Sequence, residues 1–253
     1  MMRLFVLSYL IILLAAGCSK PQSQAVYAPV TPVPVADTFH IVDTVPVTND
    51  LSLRKEYLAL GDAYTMGPFV RPIESFPDQL SIKLRSLGFS CSEPEVIAEY
   101  GWTTTNLLDR ITFVPTLLKR YSFVTLLIGV NNQFRNRPIG EYASELSKLL
   151  DKAISYTGGQ PNKVFILSLP DWGVTQYANG NNRDLIAQQI DAFNAASKKI
   201  SEEKKVSYID ITDLSRLAAN DPSLTSSDML HPSGKQYAMW VERLVPTIRD
   251  AFR

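Results

Sequence analysis

Histidine and cysteine are scarce in this chain, which holds two of each in 253 residues. His40 and Cys18 both precede the stretch where a folded domain begins, so the remaining His231 and Cys91 cannot furnish a zinc site of the usual kind. No metal and no other cofactor is expected. With Cys18 set aside, Cys91 is the only thiol, which excludes an intrachain disulfide and suits a small buried hydrophobe. Charge of one sign is not in excess either, since 25 basic residues face 25 acidic ones. Without a basic run there is no electrostatic footprint for nucleic acid. The Gly-x-Ser-x-Gly elbow of an α/β-hydrolase is missing, and no internal repeat is found.

One apolar run stands out, residues 4–14, preceded by Arg3 and followed by Ala15-Ala16-Gly17-Cys18. It is too short and wrongly flanked for a spanning helix, whereas small residues before a cysteine suit a secretory signal cleaved and lipidated at Cys18. An ordinary signal peptide with a chance cysteine is the alternative, because Ala15 stands where a leucine is usual. The expected location is the cell envelope, with the protein held to a membrane through lipidated Cys18. Residues 19–50 carry Pro21, Pro29, Pro32, Pro34 and Pro46 among Ser, Thr, Gln and Val. At ~3.1 Å per residue such a Pro-rich tether reaches up to about 100 Å. Residues 51–253 are left as one domain, long enough to bury a single sizeable core.

From residue 57 onward, short apolar runs alternate with amphipathic stretches, the pattern of a parallel sheet with crossover helices. Strands are expected at 57–60, 95–99, 122–128, 163–169 and 206–209. Helices are expected at 76–87, 104–112, 139–156, 183–203 and 233–252. Gly158-Gly159 and Pro161 end the third of these helices. In the fourth, Leu185, Ile186, Gln189, Ile190, Phe193, Ala196 and Ile200 recur at three and four and form a core-facing stripe.

Three turns follow the first three strands in register: Gly61-Asp62-Ala63, Gly101-Trp102-Thr103 and Gly129-Val130-Asn131-Asn132. All lie at carboxyl ends, where an open parallel sheet places its ligand crevice. A fourth block, Asp228-Met229-Leu230-His231-Pro232, precedes the last helix. An aspartate three residues before a histidine can hold one imidazole nitrogen and leave the other facing a cleft.

These four blocks, in this order over about residues 55–250, resemble the SGNH or GDSL hydrolase family. The resemblance implies a three-layer α/β/α sandwich with a five-stranded parallel sheet, a flavodoxin-like arrangement, and hydrolysis of carboxylic esters such as acyl or acetyl groups of lipids or glycans. It implies His231 as general base and then general acid, oriented by Asp228. It also implies an oxyanion hole from the Ala63 and Gly101 N–H groups and the Asn131 amide. Two departures matter. Asn132 replaces the family's usual aspartate, and Ala63 stands where the family has its nucleophilic serine. Evolution, engineering and a sequence error each account for that alanine, and this copy is expected to be inactive or strongly impaired. A natural pseudoenzyme that binds an acylated ligand or partner through the old crevice is the alternative. Trp102, Asn132 and Trp172 are candidate substrate contacts, the two tryptophans being equally readable as caps on the core edge. Arg135 and Arg137 read as solvated loop charges or as contacts for an anionic substrate group.

Overall fold

The first strand carries no charged side chain until its last residue, Asp62, which suits it to burial on both faces. The computed structural model describes residues 54–113 and 120–252, all within the unit Asn49–Arg253. The expected signal segment, the tether, Cys18 and His40 lie outside the described residues. β1 (Tyr57–Asp62) is buried at all six positions, and β3 (Phe123–Leu127) and β4 (Val164–Leu167) are buried throughout. Strands covered on both faces read as continuous apolar runs, as these do. β2 (Glu95–Glu99) and β5 (Ser207–Ile209) are only partly buried and form the edges.

The sheet order is β2-β1-β3-β4-β5, every pair parallel. Leu60 pairs with Ile97 on one side and Leu126 on the other. The chain therefore steps one way from β1 to β2, then reverses across β1 to β3 and continues outward. Right-handed crossovers put the helix of the first step on one face and those of the later steps on the other. Accordingly, α2 (Phe76–Ser86) packs against the last helix, α8 (Gly234–Asp250), while α5 (Ile139–Tyr156) packs between α3 (Thr104–Phe113) and α6 (Arg183–Glu203). The result is an α/β fold of three layers. The reversal opens a crevice beyond the carboxyl ends of β1 and β3.

Within the core, Tyr57 stacks on Phe123 with ring centroids 4.3 Å apart, and its hydroxyl meets Thr125 Oγ1 at 2.9 Å. Cys91 is buried and free, and burial pushes its thiol up to about 11. The α6 stripe differs from its sequence reading. Leu185 is exposed, while Asn194, Ser197 and Ser201 are buried beside Ile186, Ile190, Phe193 and Ile200. Asn194 has a reason to be there: its Oδ1 accepts the Leu169 N–H at 2.7 Å and its Nδ2 donates to Thr212 Oγ1 at 2.9 Å. It ties α6 to the chain beyond β4, satisfying backbone groups that burial would otherwise leave without partners.

Element ends shift by a residue or two. β4 starts at Val164 rather than at residue 163, because Pro161–Lys163 closes a 3-10 turn first. Three short helices escape periodicity because each is only one turn or so: α1 (Ala63–Met66), α4 (Val130–Phe134) and α7 (Thr212–Arg216).

Candidate active site

The end of β1 admits only a glycine at residue 61. A Cβ on Gly61 would lie 2.1 Å from Thr65 Oγ1 and 2.4 Å from the Leu127 carbonyl oxygen. The turn is therefore drawn tightly against β3. Asp62 follows as the N-cap of α1, its Oδ1 accepting the Tyr64 N–H at 3.0 Å. Its carboxyl is fully buried, and burial pushes it up to about 7 against the opposing hydrogen bonds from Tyr64 and Asn131. Ala63 opens α1, where an N–H has no partner within the helix.

Beyond β2, Gly101 takes a left-handed backbone with φ +77°. Its carbonyl oxygen accepts a hydrogen bond from Arg135 Nη2 at 2.7 Å, and its N–H makes none among the described residues. Beyond β3, Gly129 has φ +132°, and a Cβ there would sit 2.5 Å from the Tyr142 ring, so no other residue fits. This turn launches α4, which carries Asn131. The Asn131 amide donates to the Trp102 carbonyl at 3.0 Å and, more weakly, to Asp62 Oδ2 at 3.5 Å. One residue along, Asn132 points elsewhere: fully buried, it accepts the Thr104 N–H at 3.0 Å and donates to Thr104 Oγ1 at 2.7 Å.

The fourth block is a tight turn in which Met229 takes φ +60°. Asp228 Oδ1 accepts the Ser226 hydroxyl and the Leu230 and His231 N–H groups, while Oδ2 lies 2.5 Å from His231 Nδ1. Burial raises the Asp228 carboxyl, but these hydrogen bonds outweigh it and hold the group below the ordinary carboxylate value. His231 is 4% exposed, with Tyr64, Phe69 and Tyr100 around it at ring-centroid distances of 4.8, 5.3 and 5.6 Å. Its Nε2 has no hydrogen-bond partner among the described residues.

One cleft of about 180 Å³ gathers these parts. Ala63, Gly101, Asn131, His231 and Trp172 line it, and Asp228 stands behind His231. Trp102 and Asn132 do not line it; the first contributes its carbonyl to Asn131 and the second braces Thr104. Trp172 is buried, with its indole N–H donating to Gln133 Oε1 at 2.7 Å. Of the two arginines, Arg135 lines the cleft, whereas Arg137 bonds Thr103 and Thr105 and pairs with Glu141. Tyr100, Phe134 and Tyr177 also form walls, and the sequence reading had not singled them out. Adjacency was the available signal: Tyr100 precedes Gly101, and Phe134 lies one helical turn beyond Asn131. Among the described residues no group of three or more His, Cys, Asp or Glu is placed to hold a metal ion.

The model of the GDSL-like lipase/acylhydrolase family matches residues 59–239 of the chain. No curated protein sequence matches it. Among solved structures, a psychrotrophic esterase from Pseudoalteromonas sp. is similar at 17% identity and TM-score 0.60, covering 78% of this chain and 98% of that one. An acetylxylan esterase from Geobacillus stearothermophilus is similar at 17% identity and TM-score 0.60, covering 77% and 94% respectively. At such identities the likeness shows a shared fold. Structures of two catalytic mutants of that acetylxylan esterase, one with a histidine and one with a serine replaced by alanine, are similar at TM-score 0.60.

Proposed function

The chain belongs to the GDSL-like lipase/acylhydrolase family, and from that premise we propose that its cleft binds a carboxylic ester and polarises the carbonyl but lacks the atom that attacks it. One observation carries the reading. The Asp228–His231 pair, with its 2.5 Å hydrogen bond, shares a cleft with Ala63, Gly101 and Asn131. Four chain segments far apart in sequence thus deliver a base and oxyanion donors to the same small space.

The chemistry follows from the parts. An ester carbonyl oxygen placed among the Ala63 N–H, the Gly101 N–H and the Asn131 amide would meet donors fixed before the reaction begins. Asn131 can turn one N–H toward it by giving up the long contact to Asp62. With a hydroxyl at position 63, His231 Nε2 would accept its proton as oxygen attacks the carbonyl carbon, and Asp228 would stabilise the imidazolium. The histidine would then return that proton to the leaving alkoxide. Alanine supplies no oxygen, so no acyl-enzyme can form. In a serine protease of the same logic, removal of the nucleophile costs on the order of a millionfold in turnover. The retained donors and dyad support an ester site that is disabled at one atom. The acetylxylan esterase whose serine-to-alanine form keeps the fold is consistent with that view.

Mass spectrometry of the protein after exposure to a short-chain nitrophenyl ester tests the proposal. The chain as it stands should gain no acyl mass, and Ala63→Ser should gain one acyl group, lost again on standing. If Ala63→Ser never acylates while remaining folded, the second reading replaces this one: a cleft kept for binding an acylated ligand or partner. For location, we propose anchoring through a lipid on Cys18, which rests on the sequence alone. Incorporation of labelled fatty acid that disappears in Cys18→Ser would support it, and unchanged incorporation would contradict it.

A further inference from the structure

We propose that Arg135 makes the cleft selective for esters that carry a negative charge, a carboxylate or phosphate on the alcohol or acyl part. The inference rests on the ester-site reading above and adds the class of substrate. Arg135 is the one arginine or lysine that lines the cleft, and no aspartate or glutamate lines it. Among the described residues the guanidinium has no carboxylate within ion-pair distance, although ten arginine or lysine ion pairs are formed elsewhere. Arg137, two residues on, shows the contrast: its charge is answered by Glu141 and its N–H groups by Thr103 and Thr105. Arg135 spends one nitrogen on the Gly101 carbonyl at 2.7 Å. That contact fixes the plane of the guanidinium beside the oxyanion glycine and leaves its other donors for a ligand.

Electrostatics point the same way. Two acidic side chains stand behind the cleft wall, Asp228 and Asp62, and the Asp228 carboxylate is held by His231, Ser226 and two backbone N–H groups. Asp62 is buried, and its raised pKa leaves it partly protonated near neutrality. An anion entering the cleft therefore meets the Arg135 guanidinium on the wall itself, while the Asp228 charge lies behind His231. The guanidinium fork suits carboxylate and phosphate oxygens, which accept two parallel hydrogen bonds. Arg135 is exposed, as are Tyr100 and Phe134 beside it, so the contact would form at the solvent-facing rim of the cleft and be sensitive to salt.

The chain as it stands permits the test, because bound esters survive. Titration calorimetry with monoethyl succinate and with an ethyl ester bearing a phosphonate, each against a neutral ethyl ester of the same length, gives the preference directly. Anionic esters should bind about threefold more tightly, as an exposed charge-assisted pair allows, with the preference shrinking as salt rises. Arg135→Gln, which removes the charge, should abolish the preference, and Arg137→Gln should leave it in place. The same ratio should appear in KM for Ala63→Ser. A preference of one, or one unchanged in Arg135→Gln, overturns the inference alone. An equal loss for neutral and anionic esters in Arg135→Gln also overturns it, since the residue would then serve only to position Gly101. If Ala63→Ser hydrolyses no ester at all, the ester-site reading falls and this inference falls with it.

Discussion

Asp228 uses both carboxylate oxygens at once: Oδ2 holds His231 Nδ1 at 2.5 Å while Oδ1 accepts the His231 backbone N–H at 3.0 Å. One side chain thus builds the turn and orients the ring it carries. Replacing it with asparagine keeps the size but offers Nδ1 an amide in place of an anion. In the Ala63→Ser background, Asp228→Asn should lower kcat by about 10³ to 10⁴, as the loss of the orienting carboxylate does in serine proteases. Steady-state kinetics with a nitrophenyl ester checks this, and a loss below tenfold would show that His231 needs no anionic partner.

Asp62 sets a pH dependence of stability. Its folded-state value of about 7 lies above the ordinary carboxylate value near 3.8, so the folded protein holds a proton that the unfolded chain releases. The stabilisation is full below the unfolded value and is lost as pH rises through about 7. Asp62→Asn keeps an acceptor for the Tyr64 N–H and cannot titrate. Between about pH 4 and pH 8 the stability of the parent should fall relative to Asp62→Asn, by on the order of 4 kcal/mol. Denaturant unfolding of both proteins across that range measures the difference, and parallel curves would contradict it.

Asn132 braces rather than binds. Its amide satisfies both the backbone N–H and the hydroxyl of Thr104, away from solvent. Asn132→Ala should lower unfolding free energy by about 2 kcal/mol, because it strips partners from buried polar groups. KM of Ala63→Ser should be little changed by it. A large rise in KM with intact stability would return Asn132 to the substrate contacts.

Gly129 is held by φ +132° and by the Tyr142 ring 2.5 Å from any added Cβ. Gly129→Ala should destabilise the fold by about 3 kcal/mol. Tyr142→Leu should recover part of that loss by removing the clash, which separates the steric contribution from the backbone one. Equal instability in the double variant would place the whole cost in the backbone.

The sheet was legible because β1, β3 and β4 are predominantly apolar runs bounded by Gly, Pro and polar residues, and α5 and α6 match their expected bounds. α1 and α4 were hidden because four or five residues cannot display a 3.6-residue period. At the site, the four blocks announced Ala63, Gly101, Asn131 and His231 through glycine placement and the Asp-x-x-His spacing. What they did not announce was direction. Adjacent residues leave a short helix about 100° apart, so Asn131 faces the cleft and Asn132 the core, while Arg135 and Arg137 are parted beyond the helix end by Asn136, whose φ is +53°. Leu185 misled for a related reason: in the first turn of α6 its neighbour Ile186 takes the buried position against Gly173 and leaves Leu185 exposed, whereas Asn194 is buried for its hydrogen bonds.

The central claim is that one missing oxygen separates this cleft from an active esterase. The most direct measurement is kcat/KM on a short-chain nitrophenyl ester for the chain as it stands, for Ala63→Ser, and for Ala63→Ser combined with His231→Ala. The account predicts a gain of several orders of magnitude on introducing serine, about 10⁴-fold or more, and its loss when His231 is removed. Serine without any gain, in a protein whose unfolding transition matches the parent, would contradict it.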